Sequence, residues 1–118
     1  MKSNYDRVKP YITKDGSEIR ELMHPAVHGN RAQSLAEATV PPGAKTLIHR
    51  HAITEEIYYF TAGEGLMTLG AQTFAVRTGD SVAIPPGTAH CVENTGREPM
   101  KILCACSPAY SDEDTGLL

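Results

Sequence analysis

The sequence contains little cysteine, and the few cysteines are not arranged as a disulfide framework. Cys91, Cys104 and Cys106 are odd in number and show no paired spacing, whereas secreted disulfide scaffolds carry paired cysteines. Cys104 and Cys106 would share one face of an extended strand, where a bridge between them would be strained. We therefore expect a reducing compartment and interpret these cysteines as small, buried apolar side chains.

The sequence also lacks a long apolar run and an excess of positive charge. The longest apolar stretch covers residues 102–106, whereas a membrane-spanning helix needs roughly 20 residues, and the polar amino terminus does not resemble a secretion signal. The 11 Lys and Arg residues against 14 Asp and Glu residues leave a net charge of -3, which provides no basic surface for a phosphate backbone. We expect a cytoplasmic protein with no membrane partner and no nucleic-acid partner.

The chain of 118 residues is long enough for a single domain but too short for two cores of ordinary size. Gly and Pro punctuate it, and short runs rich in β-branched and aromatic residues lie between them. Predicted strands cover residues 34–40, 45–51, 56–61, 66–69, 72–77, 81–84, 90–93 and 101–106. Because no helical periodicity separates them, these strands predict an all-β barrel or sandwich with its core at residues 34–106. Residues 1–33 would form an N-terminal arm and residues 107–118 a solvated C-terminal tail.

One short helix is predicted in the N-terminal arm, over residues 17–23. Asp15 can accept a hydrogen bond from the backbone of Glu18 in a capping-box arrangement, and Ile19, Leu22 and Met23 form an apolar stripe. The predicted fold is therefore an all-β barrel preceded by a short N-terminal helix.

Two of the predicted strands are apolar on both faces. Tyr58 and Phe60 alternate with Ile57 and Tyr59, and the strand at residues 101–106 is apolar at both parities. A strand covered on both faces needs a partner beyond the barrel interior, and a second copy of this small chain predicts a homodimer. The alternative is that the N-terminal segment covers the outer face.

Three histidines and one acidic residue carry the metal-binding signal. His49 and His51 are separated by one residue, so their side chains leave the same face of an extended strand. Glu56 opens the next strand, where a hairpin would return its carboxylate to the imidazoles. His90 begins a later strand after a rigid turn. Three nitrogen donors and one oxygen donor suit a divalent transition metal.

Glu55 competes with Glu56 for the role of the carboxylate ligand. The two residues differ only in strand parity, and the parity of Glu56 places Tyr58 and Phe60 on the inner face as well. We favour Glu56 and expect Glu55 to remain solvated in the turn.

Two motifs in this chain resemble those of the cupin superfamily. The first consists of Gly43, His49, His51, Glu56 and Gly63, and the second of Gly79, Pro85, Gly87, His90 and Asn94. The motifs extend over residues 43–94, and the flanking residues 34–42 and 101–108 also look similar to small single-domain cupins. The resemblance implies a jelly-roll barrel, often dimeric, with a metal inside.

The resemblance assigns His49, His51, Glu56 and His90 as the ligands of one divalent transition metal per chain. Mn or Fe is favoured, and Zn, Ni, Co and Cu are also compatible with these donors. Cupins include dioxygenases, decarboxylases, isomerases, epimerases and sugar-binding domains, so the fold does not select a reaction. We expect a metal-dependent, dioxygenase-like oxidoreductase that acts on a small, oxygen-rich substrate. The alternatives are a sugar or sugar-phosphate isomerase or lyase, and a non-catalytic protein that binds a small molecule.

Other polar residues are weaker candidates for the barrel interior. Tyr58 could donate a proton to the substrate or could simply fill the core. Anchors for an anionic substrate would be Arg20, Arg31 or Lys45, and His24 and His28 could line the mouth of the barrel or serve as ordinary surface residues.

Overall fold

The computed structural model describes residues 1–118 as two antiparallel sheets that pack around one core. The first sheet contains six strands in the order β1 (Tyr11–Ile12), β2 (Glu18–Met23), β3 (Ser34–Val40), β10 (Met100–Ser107), β5 (Glu55–Ala62) and β8 (Ser81–Ile84). The second contains five, in the order β11 (Thr115–Leu117), β4 (His49–His51), β9 (His90–Asn94), β6 (Glu64–Leu69) and β7 (Gln72–Arg77). The predicted all-β barrel architecture is confirmed.

Each of the eight sequence-predicted strands coincides with a strand of the structure. Three have the predicted bounds, namely β3, β7 and β8. The strand predicted at residues 45–51 is regular only over His49–His51. Upstream of it, Lys45 forms a single bridge to Glu93 of β9, but the Leu47 amide donates to the carbonyl of Asp15 in the N-terminal arm, so the ladder with β9 is interrupted at Leu47.

The helix predicted over residues 17–23 is wrong, because these residues form strand β2. β2 pairs with β3 on one side and with β1 on the other, and these ladders satisfy backbone groups along a segment that is too short for a stable isolated helix. Asp15 does not cap a helix at Glu18 but accepts hydrogen bonds from the backbone and hydroxyl of Ser17. The helical segments are a 3-10 turn at Tyr5–Arg7 and a single-turn helix, α1, at Pro25–His28. Neither has the length and hydropathy that a bilayer-spanning helix needs.

The C-terminal tail is not solvated as the sequence suggests, because its last part joins the second sheet. β11 pairs with β4, so Thr115 lies opposite His51 and Leu117 opposite His49. Thr115 is buried. The polar residues 111–114 before it suggest a solvated tail, but Asp114 accepts the amides of Ile53 and Thr54 with its two carboxylate oxygens.

The core lies between the sheets and is built from the inward-facing residues of each strand. In β5 the burial alternates, with Tyr58 and Phe60 inside and Ile57 and Tyr59 exposed. Asn94 is fully buried and uses its amide to tie its own loop to the barrel, because it donates to the carbonyls of Val40 and Glu98 and accepts from the amide of Gly96. Asn94 therefore holds the loop that follows β9 against the barrel.

Candidate metal centre

Strands β4 and β9 present three histidines to one point between the sheets. His49 and His51 are the two buried residues of β4, separated by an exposed residue, so both imidazoles leave the inner face. His90 opens β9 and is the register partner of His49 across the ladder. One ring nitrogen from each of the three histidines lies within 4.8 Å of the others, a spacing that a single ion can bridge.

Two of these imidazoles are held in a defined tautomer by backbone carbonyls. Nδ1 of His49 lies 2.8 Å from the carbonyl oxygen of Leu47, and Nδ1 of His90 lies 2.9 Å from that of Thr88. Because a carbonyl can only accept, each Nδ1 must carry the proton. In the neutral ring, Nε2 then presents a lone pair to the interior. Burial and the neighbouring His90 lower the pKa of His49, which favours this neutral form.

The third imidazole is oriented by the C-terminal strand. Nδ1 of His51 lies 2.9 Å from Oγ1 of Thr115, whose hydroxyl donates to the carbonyl of Ser111 at 2.8 Å. Because that hydroxyl proton is committed to Ser111, Thr115 accepts from His51, and Nε2 of His51 is also a lone pair. All three histidines therefore have the outer-shell partners that metal-binding imidazoles use.

Glu56 brings a carboxylate beside two of these histidines from the opposite sheet. Its Oε1 lies 3.2 Å from Nε2 of His51 and 3.6 Å from Nε2 of His90. Burial raises the pKa of Glu56, and a hydrogen bond or positive charge on the side of His51 and His90 lowers it, so the carboxylate stays ionised when a proton or a cation lies between them. A carboxylate oxygen and imidazole lone pairs are all acceptors, so they stabilise one another only through a cation or a shared proton.

His90 provides the test of whether a metal fits these residues. It is fully buried, and its Nε2 has no hydrogen-bond partner. An unpaired buried nitrogen costs free energy, and a divalent ion among the four donors would remove that cost. The donor set of three nitrogens and one oxygen, with three oriented imidazoles, fits a divalent transition metal.

The parity of β5 distinguishes the two candidate carboxylates. Glu56 is buried at 5% exposure, whereas Glu55 is exposed at the start of the same strand. The structure thus places Glu56 beside the histidines and leaves Glu55 in solvent, as the alternation of Tyr58 and Phe60 predicts.

Cys106 fixes the second oxygen of Glu56. Its thiol lies 3.3 Å from Oε2 of Glu56 and donates to it. Burial and Glu56 raise the pKa of this thiol, so it stays protonated. With Oε2 engaged by sulfur, Oε1 is left to face His51 and His90. The expectation that this cysteine is buried holds, but it also orients a predicted ligand.

A cavity of about 50 Å³ opens beside His49, large enough for a few water-sized groups. His49, Glu56 and Tyr58 are part of its lining, and small apolar residues such as Ala36 and Ala38 form much of the remaining wall. The Tyr58 ring stands edge-on to the His90 ring, with 6.0 Å between their centroids. Burial and Glu56 raise the pKa of Tyr58, so a phenol rather than a phenolate borders the cavity.

The cationic residues proposed as substrate anchors do not line this cavity. Arg20 donates to the carbonyls of Tyr5 and Val8, while Arg31 and Lys45 are exposed.

The two remaining histidines are also absent from the cavity lining. His24 caps α1 by accepting the amide of Ala26, and its Nε2 donates to the carbonyl of Tyr110. Nδ1 of His28 accepts the amide of His24. Both therefore act as ordinary structural residues of the N-terminal arm.

Sequence reasoning missed two residues that the structure brings to the centre. Asp15, in the turn between β1 and β2, places Oδ2 3.7 Å from Nε2 of His49. Thr115 orients His51 from β11. Neither lies in the predicted barrel core, and only the pairing of the two chain ends with the sheets brings them inside. The hydroxyls at Thr13 and Ser17, which flank Asp15 at alternate positions, are the one local signal that this acid is held in place.

Exchange of Glu56 for Gln should weaken Mn²⁺ binding by about 100-fold or more, because one donor and its charge are lost while the fold is kept. Glu55→Gln is the matched control on the same strand and should bind Mn²⁺ as the wild type does. Titration calorimetry of metal-free protein measures both affinities. His51→Ala and His90→Ala should also lose the metal, and full stoichiometry in either of them would refute the ligand assignment.

Thr115→Val should weaken Mn²⁺ binding by about tenfold, because the hydroxyl that holds the His51 tautomer is removed while the volume is kept. Thr73→Val, at an exposed position of β7, serves as the control and should leave the affinity unchanged. An unaltered affinity in Thr115→Val would show that β11 does not orient His51.

Comparisons with other proteins agree with this architecture. Over 118 residues the chain is 57% identical to an uncharacterised protein of Methanocaldococcus jannaschii, covering 100% of this chain and 94% of the relative. An oxalate-binding protein of Thermotoga maritima is 30% identical over 86 residues, which cover 73% of this chain and 71% of that protein.

Solved structures show the same fold. A predicted oxalate decarboxylase from Thermotoga maritima superposes with a TM-score of 0.79 at 24% identity, covering 92% of this chain and 99% of that one. Oxalate decarboxylase from Bacillus subtilis gives a TM-score of 0.81 at 27% identity, where the match covers 97% of this chain but 30% of that longer chain. The profile of the cupin domain family matches residues 36–106, and the chain therefore belongs to the cupin family.

Proposed function

We propose that this cupin is a metal-dependent enzyme that acts on a small, oxygen-rich organic compound bound beside the three histidines. The observation that carries the proposal is the set of inward Nε2 atoms of His49, His51 and His90, which lie close together near the Glu56 carboxylate at the side of a cavity. The four residues would hold one divalent ion, with Mn or Fe favoured and Zn, Ni, Co or Cu compatible with the same donors. A bound ion would act as a Lewis acid on substrate oxygens.

The residues around the cavity divide into apolar walls and a few polar groups. Ala36, Ala38 and Val92 line it and exclude water from a bound substrate. Tyr58 holds a proton on Oη at the cavity surface, where it can be donated to a substrate oxygen. The cavity volume of about 50 Å³ favours a substrate of a few heavy atoms.

The reaction we favour is a dioxygenase-like oxidation with dioxygen as the oxidant. Four protein donors would leave room on a six-coordinate ion for small molecules, which supports this assignment. The apolar wall beside the donors would limit the access of bulk water to the substrate.

Chemistry without dioxygen is the second candidate. Asp15 and Tyr58 both line the cavity, and a carboxylate and a phenol are among the side chains that can act as base and acid in an isomerase or lyase. A third candidate, binding without turnover, is supported by the relative described as an oxalate-binding protein.

Protein loaded with Fe²⁺ or Mn²⁺ and mixed with hydroxy acids, thiols and diketones should consume oxygen, as measured with an oxygen electrode. Turnover that continues unchanged under argon would contradict the oxidative assignment. Conversion of phosphosugars or sugar acids without oxygen, abolished by a chelator, would establish the second candidate. A thermal shift without turnover would leave ligand binding as the function.

The role of Tyr58 is tested separately, on whichever substrate is turned over. Tyr58→Phe should lower kcat while the bound metal stays at full stoichiometry, because only the phenolic proton is removed. Tyr59→Phe, one residue along on the exposed face of β5, is the control and should match the wild type. An unchanged kcat in Tyr58→Phe would show that Tyr58 fills the core and donates no proton.

We also propose that the protein forms a homodimer through the outer face of the six-stranded sheet. Leu35, Ala105 and Ile57 lie side by side across β3, β10 and β5, and Leu35, Ile57 and Tyr59 are 40–46% exposed. An apolar strip of this kind on a monomer indicates an interaction surface, and a two-fold axis would let one copy cover the other.

Light scattering after gel filtration tests the proposed dimer. The wild type should have the mass of two chains, and Ile57→Asp should have the mass of one. Leu66→Asp introduces the same charge at a similarly exposed position on the other sheet and should leave the mass at two chains. A wild-type protein with the mass of one chain would contradict the dimer.

A further inference from the structure

The charged side chains that line the cavity are mostly acidic. Asp15, Glu21 and Glu56 all line it, His49 is the one basic side chain, and no Lys or Arg does so. Glu56 belongs to the predicted metal centre, but Asp15 and Glu21 do not. Both come from the N-terminal hairpin, residues 11–23, which is formed by β1, β2 and the turn between them.

Asp15 is held by three hydrogen bonds that leave one oxygen free. Its Oδ1 accepts from Oγ1 of Thr13 at 2.7 Å, from Oγ of Ser17 at 2.7 Å and from the amide of Ser17 at 3.0 Å. Its Oδ2 makes no hydrogen bond and lies 3.7 Å from Nε2 of His49. Because both atoms are acceptors, the space beside them favours a group that donates a hydrogen bond or carries positive charge.

Glu21, in strand β2 of the same hairpin, also has one carboxylate oxygen that is hydrogen-bonded and one that is not. Its Oε2 accepts from the hydroxyl of Tyr11 at 3.1 Å, while Oε1 is buried without a partner. A buried acceptor without a donor costs free energy, which a donor from a bound ligand would relieve.

The cations of the hairpin are engaged elsewhere. Lys14 donates to the carbonyls of Asp112 and Thr115, and Arg20 donates to carbonyls of the N-terminal arm. Neither residue lines the cavity. The carboxyl groups of Asp15 and Glu21 at the cavity surface are therefore not paired with a basic side chain of the hairpin.

We infer that Asp15 and Glu21 form an acidic wall that selects ligands donating hydrogen bonds, such as small polyhydroxy or amino compounds, over dicarboxylates. The inference rests on the proposed function, because it assumes that the other end of the ligand binds the metal. A dicarboxylate would place a second negative charge against two carboxylates, and like charges in contact are strongly unfavourable. A hydroxyl or amino group would instead satisfy the free acceptors.

The test compares oxalate with oxamate, an analogue of nearly equal shape in which an amide replaces one carboxylate. Calorimetry on Mn²⁺-loaded protein gives the ratio of the two dissociation constants, oxalate over oxamate. Comparing this ratio between variants cancels the intrinsic preference of the metal. In Asp15→Asn, and separately in Glu21→Gln, the ratio should fall by about tenfold, since a hydrogen bond to a charged group is lost and repulsion of oxalate is relieved.

Two exposed acids provide matched controls, Asp6 in the N-terminal segment and Glu18 on the hairpin itself. Asp6→Asn and Glu18→Gln should leave the ratio unchanged, and an equal fall in either one would overturn the assignment to the wall. A ratio within twofold of the wild type in both Asp15→Asn and Glu21→Gln, at full metal content, would also overturn the inference. Wild-type protein that binds no Mn²⁺ would instead contradict the proposed function on which the inference depends.

Discussion

The structure depends on one electrostatic constraint, which is that four buried hydrogen-bond acceptors point at each other. His49, His51 and His90 each direct the lone pair of Nε2 inward, because a carbonyl or a hydroxyl takes the Nδ1 proton, and Glu56 adds a carboxylate oxygen. Such a group is stable in a protein interior only if a positive charge satisfies it. The strands, the turns and both chain ends serve to keep these acceptors in place against mutual repulsion.

The segments outside the barrel core support this arrangement directly. From the C-terminal end, Thr115 sets the tautomer of His51, and Asp114 accepts two backbone amides of the turn that precedes Glu56. From the N-terminal end, the hairpin brings Asp15 to His49. The chain ends therefore shape the site.

Much of this could be read from the sequence, for identifiable reasons. The alternation of apolar residues in β5 indicates that Glu56, and not Glu55, faces inward. The one-residue spacing of His49 and His51 places both side chains on the same face of a strand. The errors share a cause: residues 17–23 looked helical and the tail looked solvated because local pattern carries no information about a distant pairing partner. β2 and β11 are strands because β3 and β4 lie beside them, and this tertiary context was not available from either segment alone.

The central claim is that a divalent ion occupies the point shared by the four acceptors. The most direct measurement is X-ray diffraction from crystals of protein purified from its own host, with anomalous scattering recorded on both sides of the absorption edge of the metal found by elemental analysis. We expect one strong anomalous peak per chain, within about 2.0–2.3 Å of Nε2 of His49, His51 and His90 and of a carboxylate oxygen of Glu56. The absence of a peak there in metal-replete protein, or a peak bound by other residues, would contradict the account.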